Sequence, residues 1–503
     1  MEDWNGRPPG AAGPSSRQYS YWDGQRAPSL GFKQRIKHFT WTWFAMTMAT
    51  GGLANMIHSI PLRFPGLYEI GCFFFLFNIV LFAFNIAMIS TRFYLYPVTF
   101  RASFIHPTES LFAPAAIISF GTILINITQY GTRSTVDRGH GLQVDTWLTE
   151  AMMVLFWIYC ALAIIFSCGI YLVMWSTQTF TISRMTPTWI FPAYPLLLAG
   201  PYAGNLAGKL PNHRALQVII GGYVLQATGF MVAFMIYASF IYRLMTEKLP
   251  RESVRPGMFI SVGPSGFTIN GIMNMGNLLP AILESHEEFM GIDGKLAGAI
   301  SMVIANWTGI WMWGLALWFF LISIGAHYSS AAKGHMEFAM TWYSFVFPNT
   351  ALVSATFTVA KVLGPSRPIQ IFGCVLACMV LLTWAFVFCM TIRAVITRQV
   401  LWPQMQEDRD EGGFARGRVE EETMTAVRAA AALEGRPGTL SSNGNSDIRD
   451  GVRRRRAGTL ERMLRDKEEE EVVGRMSTDR APRSRVDEEA NAIVRAYSNL
   501  SSV

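Results

Sequence analysis

Eight histidines and six cysteines are the residues of this chain best suited to hold a metal or attack a substrate, yet their spacing builds no site for either. The histidines form no HxxxH or HxxHH pattern. Cys72, Cys160, Cys168, Cys374, Cys378 and Cys389 lie inside apolar runs without CxxC or Cys/His spacing, so they read as small packing residues, and no metal or cofactor is expected. No aspartate pair or Ser/His arrangement occurs within an apolar run, which leaves an enzyme without a reacting group. What recurs instead is a set of hydroxyls, amides, glycines and prolines inside apolar stretches. These are TMATGGLAN from Thr47, FAPAAIISFGTILINITQ from Phe112, FPAYPLLLAGPYAGN from Phe191, VGPSGFTINGIMNMGN from Val262 and FVFPNTALVSATFT from Phe345. Thr47, Thr50, Gly51, Gly52, Asn55, Pro114, Asn126, Pro192, Pro195, Asn205, Asn270, Asn274 and Asn349 are the candidate lining or substrate-binding residues. Hydroxyls, amides and the freed N–H groups of broken helices coordinate anions. Each polar side chain also fits an interhelical hydrogen bond. Glu69, Glu109, Lys209, Arg243, Glu284, Lys361 and Arg393 all fall at or near the ends of apolar stretches. A cation site or proton relay ordinarily uses an intramembrane carboxylate, so the pattern favours anions over cations.

The elements that must position these residues are membrane helices. Of the 503 residues, 51% are hydrophobic and 15% charged, against about 25% charged in soluble domains, and the mean hydropathy is +0.27. A soluble enzyme of ordinary make-up is excluded. The net charge of +7 is not a nucleic-acid footprint, because the basic residues flank apolar stretches. Ten spans of about 20 residues are expected at 39–60, 67–91, 110–131, 148–174, 188–208, 214–242, 257–283, 298–323, 340–361 and 369–396. No cleavable signal is visible, and the first span serves as its own insertion signal. Lys33, Arg35, Lys37, Arg92, Arg101, Arg243 and Lys248, set against Arg63, Lys209, Lys295 and Lys361 on the other side, place both termini in the cytoplasm. Residues 1–38 form a mostly disordered segment and 39–396 the transport domain. Residues 397–503 form a charged, mostly disordered tail with short helices around 420–434 and 459–472.

The ten spans alternate in kind. The even ones are apolar almost throughout and suit lipid. The odd ones carry the small, polar and helix-breaking residues. Irregular backbone at membrane depth is tolerated only where protein or water covers it, so Pro114, Pro192, Pro195, Pro264 and Pro348 are expected to face inward. The economical arrangement is an all-α membrane protein of five helical hairpins, with the odd helices around a pathway and the even ones outside. His58, near the outer end of span one, reads as a packed interfacial residue.

Four segments in order carry a family resemblance: HFTWTWFAMTMATGGLANMI from His38, IHPTESLFAPAAIIS from Ile105, TPTWIFPAYPLLLAGPYAGNLAG from Thr186 and TWYSFVFPNT from Thr341. Together they resemble the tellurite-resistance and dicarboxylate transporter family, and within it the fungal malic acid transport branch. The resemblance covers residues 38 to about 396. It implies ten helices in five hairpins around a central pore, a homotrimer with one pore per subunit, and kinship with plant slow anion channels. It also implies a phenylalanine gate on the ninth helix, matched by Phe347 before Pro348, where an aromatic ring can plug a narrow polar tube. His106 to Ser110 resemble the HPTES signature of the fungal branch. His106 and Glu109 are therefore the candidate proton-linked pair, and Glu109 equally fits a helix cap with Ser110. The implied function is passage of malate and similar C4-dicarboxylates across the plasma membrane, proton-coupled or channel-like. The expected partners are a small organic anion, protons and the lipid bilayer. Sulfite efflux is the alternative within the family. A non-transporting receptor or a membrane enzyme is the remote one.

Overall fold

The computed structural model describes residues 31–131, 146–178, 181–182, 185–250, 252, 254–331 and 338–401. The tail helices expected at 420–434 and 459–472 lie outside the described residues. Apart from the two-residue strands β1 (Glu288–Phe289) and β2 (Ile292–Asp293), the described elements are helices, beginning with α1 (Phe32–Ile36) inside the expected N-terminal segment.

Two kinds of helix alternate. The long kind comprises α3 (Leu67–Leu95), α7 (Thr146–Thr177), α9 (Asn212–Glu247), α11 (Gly294–Ala331) and α13 (Arg367–Ile396). These expose Phe73, Val80, Ile165, Leu172, Met235, Trp311, Leu382 and Phe386 to their surroundings. At about 25 cal/mol per Å² such faces are unfavourable in water and fit hydrocarbon. The short kind comprises α2 (Phe44–Ser59), α6 (Ala115–Asn126, continued by a π turn over Ile127–Gly131), α8 (Tyr194–Ala207), α10 (Val262–Leu283) and α12 (Phe347–Val362). Nearly every residue of these is buried. Each short helix packs on the long helix that follows it, and the five short helices touch in a closed ring, α2–α6–α8–α10–α12 and back to α2.

Among the described residues, seven helices are long and apolar enough to cross a membrane. The expected spans 39–60, 188–208 and 257–283 are not among them. In the first two, α2 has 16 residues and α8 has 14, each behind a 3-10 turn (Trp41–Trp43 and Pro187–Ala193). In the third, α10 is diluted by glycine and asparagine. A helix wrapped by other helices needs no lipid-compatible surface, so its hydropathy falls.

The buried helices begin alike. Short lead-ins precede α10 (Arg255–Ser261), α12 (Met340–Phe345) and α6 (α5, Glu109–Phe112). Pro114 directly precedes α6, Pro192 sits within a 3-10 lead-in, and Pro195, Pro264 and Pro348 lie in the first turns of α8, α10 and α12. All five are buried. Proline at a helix start gives up an N–H that would have no helical partner, so Pro192, Pro195, Pro264 and Pro348 mark the change from 3-10 to α geometry and Pro114 the start of α6 behind α5. The cysteines depart from expectation: Cys160 is buried, but Cys168, Cys378 and Cys389 are exposed on the long helices, and all six are free. They follow the apolar character of those faces rather than fill the interior.

At the start of α5, Arg92 and Glu109 form an ion pair with side chains 0% and 3% exposed, and Arg92 also donates to the Phe39 carbonyl at 2.9 Å. This ties the end of α3 to the lead-ins of α2 and α6.

Candidate functional site

The five buried helices each turn one stripe toward a common cavity of about 80 Å³. The stripes are Gly52, Asn55 and His58 on α2; Thr122, Ile125 and Gln129 on α6 and its π turn; and Leu198, Pro201 and Asn205 on α8. Phe267, Asn270 and Asn274 on α10 and Phe347, Thr350, Ser354 and Thr358 on α12 complete the wall. Spacings of three and four residues place each set on one helix face. At roughly 10–15 Å³ of such volume per water, the space holds several waters or one small anion. It contains no carboxylate.

Phe347 lies where this cavity adjoins a second one. Its side chain, 2% exposed, lines this cavity and also a second one of about 10 Å³ walled by Ala45, Met48, Tyr194, Ile260, Tyr343 and Pro348. The ring lies 5.2 Å from that of Phe267 and 6.1 Å from that of Tyr194. The Tyr194 hydroxyl donates to the Ile260 carbonyl, which fixes that ring in turn. On α2 the neighbour is Gly52, where a Cβ would stand 3.2 Å from the Phe347 ring and 2.7 Å from the Thr350 hydroxyl. The ring therefore reaches from α12 to α2, α8 and α10. The second cavity draws on the first turns of α2, α8 and α12 and the first cavity on residues further along the same helices, so these helices run in one sense.

Most polar groups of the wall are satisfied within the protein. Thr122 and Thr350 donate to the carbonyls of Ser119 and Phe347, and Asn270 donates to the Ala351 carbonyl and accepts from Thr358. Gln129 bridges Asn55 Oδ1 at 2.6 Å and Asn205 Oδ1 at 3.1 Å. Among the described residues the Asn274 amide, the Ser354 hydroxyl, Asn55 Nδ2 and the His58 ring form no hydrogen bond, and all four residues line the cavity. These are the donors available to a bound solute.

Gly52, Asn55, Asn205, Asn270, Asn274 and Phe347 of the expected set thus meet at one cavity, and Pro348 lines the smaller one. Thr47, Thr50, Gly51, Pro114, Asn126, Pro192, Pro195 and Asn349 line neither. They serve the seams between helices. Thr47 bonds Ser119 at 2.7 Å, Thr50 accepts from Trp384, Asn126 donates to the Gly51 carbonyl, Tyr159 donates to the Pro195 carbonyl, and Asn349 turns back on the Phe345 carbonyl. Asn126 is one residue from the lining Ile125, about 100° around the helix. Gln129, Ser354, Thr358 and His58 join the wall from outside the expected lining set. The signal for Ser354, Thr358 and His58 lies in steps of three and four residues from Phe347 and Gly52, whereas Gln129, in the π turn that ends α6, has no such anchor.

The cavity end remote from Phe347 is flanked by cations. Arg63 donates to the His58 carbonyl at 2.6 Å, and Lys209 donates to the Thr128 carbonyl, next to Gln129. Burial pushes the Lys209 ammonium down to about 8. On the Phe347 side, His106 and Glu109 are adjacent but not arranged as a carboxylate holding an imidazole proton. His106 Nδ1 accepts from the Glu109 backbone N–H at 3.2 Å, and the Glu109 carboxylate is committed to Arg92. His106 is thus the capping group and Glu109 the partner of an arginine.

The sequence matches the voltage-dependent anion channel family over residues 38–392, and the chain belongs to that family. The malic acid transport protein of Schizosaccharomyces pombe is 29% identical over 411 residues, 81% of this chain and 90% of that protein. A putative malic acid transport protein of the same yeast is 27% identical over 386 residues, 76% and 86% of the two chains. The sulfite efflux pump of Arthroderma benhamiae is 25% identical over 376 residues, 73% and 93%. The chain is a mostly helical, multi-pass membrane protein of an anion-transporting family, as its four signature segments implied.

Proposed function

We propose that the chain conducts malate and similar C4-dicarboxylates across the plasma membrane through the ring of buried helices, with Phe347 as the gate. In this reading the three short helices α2, α8 and α10 cross the bilayer with the seven longer ones, giving ten crossings in five hairpins and cytoplasmic termini on the Phe347 side. One observation carries the reading: Phe347 lines both cavities within the closed ring of buried helices, and the larger cavity offers unpaired donors and, among the described residues, no carboxylate. Asn274 and Ser354 bind a carboxylate of the solute in that cavity.

The 29% identity to a malic acid transport protein supports the dicarboxylate. Moving each charge against the membrane potential costs about 2.3 kcal/mol per 100 mV, so uptake of a monoanion with a proton avoids most of the expense of carrying a dianion. A homotrimer with one pathway per subunit completes the proposal. Flux of radiolabelled malate into proteoliposomes under imposed pH and voltage gradients tests it: the expected result is saturable uptake that rises with an inward proton gradient. Absence of malate flux together with sulfite flux, or sulfite resistance of expressing cells, would move the assignment to the sulfite branch, which the similarity to a sulfite efflux pump favours as second reading.

A further inference from the structure

The open end of the cavity is assembled from helix C-termini. His58 lies in the last turn of α2, Asn205 in the last turn of α8, and Gln129 in the π turn that ends α6. Helix C-termini carry partial negative charge, equivalent to roughly half an electron each. Left bare, such a mouth would repel the anions that the rest of the cavity suits. Two cations lie directly on its carbonyls: Arg63 on the His58 carbonyl of α2 and Lys209 on the Thr128 carbonyl of α6. Both also lie within electrostatic reach of the His58 ring. That ring stands edge-on to Tyr130 at 5.2 Å, which holds it in the wall, and it forms no hydrogen bond among the described residues. It is six residues along α2 from Gly52, which touches the gate, and at 1.5 Å per residue that is about 9 Å.

We infer that His58, with Asn55 Nδ2 beside it and Arg63 behind it, is the subsite for the second carboxylate of a dicarboxylate, and so the element that selects such solutes over monocarboxylates. The inference rests on the proposed function, in which Asn274 and Ser354 take the first carboxylate. An anion with one carboxylate fills one donor group and leaves the His58 end to water. A dicarboxylate engages both, and its second charge meets the cationic collar. Arg63 is exposed and stands outside α2, so its charge acts on solutes that arrive as well as on the bound one. His58 is then a specificity residue, whose loss is read in discrimination rather than in transport as such.

The experiment compares uptake of radiolabelled malate and lactate by proteoliposomes holding the wild-type chain, His58→Leu, His58→Gln or Arg63→Gln. The expected result is a malate KM raised about tenfold more than the lactate KM in His58→Leu. Recovery of most of that difference is expected in His58→Gln, which restores a donor, and a smaller, salt-dependent loss of selectivity in Arg63→Gln. An unchanged malate-to-lactate ratio in His58→Leu and Arg63→Gln, with wild-type malate uptake intact, overturns the inference and leaves the proposed function standing. Equal losses for both solutes in His58→Leu, not recovered in His58→Gln, assign His58 to packing and likewise overturn it. No malate uptake by the wild-type chain overturns both readings. Because Arg63 lies outside the helices, its variant still reports the malate-to-lactate ratio where His58→Leu folds poorly.

Discussion

Replacing Phe347 by alanine separates gating from packing most directly. The closed ring makes two aromatic contacts, with Phe267 at 5.2 Å and Tyr194 at 6.1 Å. Such pairs contribute about 0.5–1.5 kcal/mol each beyond area burial, so swinging the ring aside costs about 1–3 kcal/mol. At 1.4 kcal/mol per decade, the closed arrangement is favoured roughly 5- to 150-fold, and Phe347→Ala should raise basal anion leak by a factor in that range. Phe347→Leu, which keeps bulk and loses the ring pairs, should fall between. The opposing effect is stability: truncating a buried phenylalanine costs about 3–5 kcal/mol where the void cannot be filled. Here the void would join two existing cavities, one polar, and water can enter, so the cost should lie toward the low end. Gly52→Ala should act oppositely to Phe347→Ala, because its Cβ would press the ring from α2, and leak should fall. Anion efflux from proteoliposomes, read beside thermal unfolding in detergent, distinguishes the outcomes. A well-folded Phe347→Ala protein with unchanged or reduced leak would refute the gate.

Removing the Asn274 or Ser354 donor by alanine substitution should raise the malate KM about tenfold to a hundredfold, the equivalent of one hydrogen bond to a charged group of about 1.5–3 kcal/mol, with saturable uptake kinetics as the readout. Glu109→Gln should lower stability by about 3–5 kcal/mol, because it leaves the Arg92 charge buried without its partner. The double variant Arg92→Met with Glu109→Leu should recover much of that loss, both read by thermal unfolding. Burial holds the folded Lys209 pKa at about 8 against an ordinary 10.5, so between those values the unfolded chain binds the extra proton. Stability should therefore rise with pH across that window and be flat below it; unfolding midpoints at stepped pH check this, and Lys209→Met should flatten the slope.

The alternation of helix types was legible because it follows from solvent. CFFFLFNIVLFAFNIAMIS, most of α3, is apolar apart from the inward-facing Asn78 and Asn85, because most of its girth faces outward. TMATGGLAN can be small and polar because α2 touches other helices on nearly every side. The expected spans 39–60, 188–208 and 257–283 fall short by length or hydropathy, because α2 and α8 are short and α10 is rich in glycine and asparagine. Individual wall residues were only half legible. Residue type alone could not separate Asn126, which donates to the Gly51 carbonyl, from Gln129 three positions on, which faces the cavity. The separation is rotational, and on three of the five helices a glycine or aromatic at the start of the stripe fixes its phase: Gly52 against Phe347 on α2, Phe267 on α10, Phe347 on α12. Read outward from those anchors in steps of three and four, the sequence yields Asn55 and His58, Asn270 and Asn274, Thr350, Ser354 and Thr358. The Arg92–Glu109 pair was out of reach, because 17 residues and a change of helix separate its members.

The common sense of the buried helices gives the pathway a polarity that no single residue supplies. The first turns of α2, α8 and α12 gather on the Phe347 side, and the C-terminal ends of α2, α6 and α8 gather at the His58 side. In the proposed pathway an anion that passes the cationic collar would move along helix dipoles whose positive ends lie ahead of it, toward the aromatic ring and away from the mouth. Asn274 and Ser354 would hold it on that path without a fixed charge that would bind too tightly for release. The same field opposes a cation at every step. Selectivity by sign thus follows from the parallel packing of the helices, whereas selectivity among anions falls to the few donors that packing leaves unpaired. For that reason substitutions at the seams, such as Asn126 or Thr47, should disturb folding before they disturb preference, whereas substitutions at Asn274, Ser354 and His58 should do the reverse.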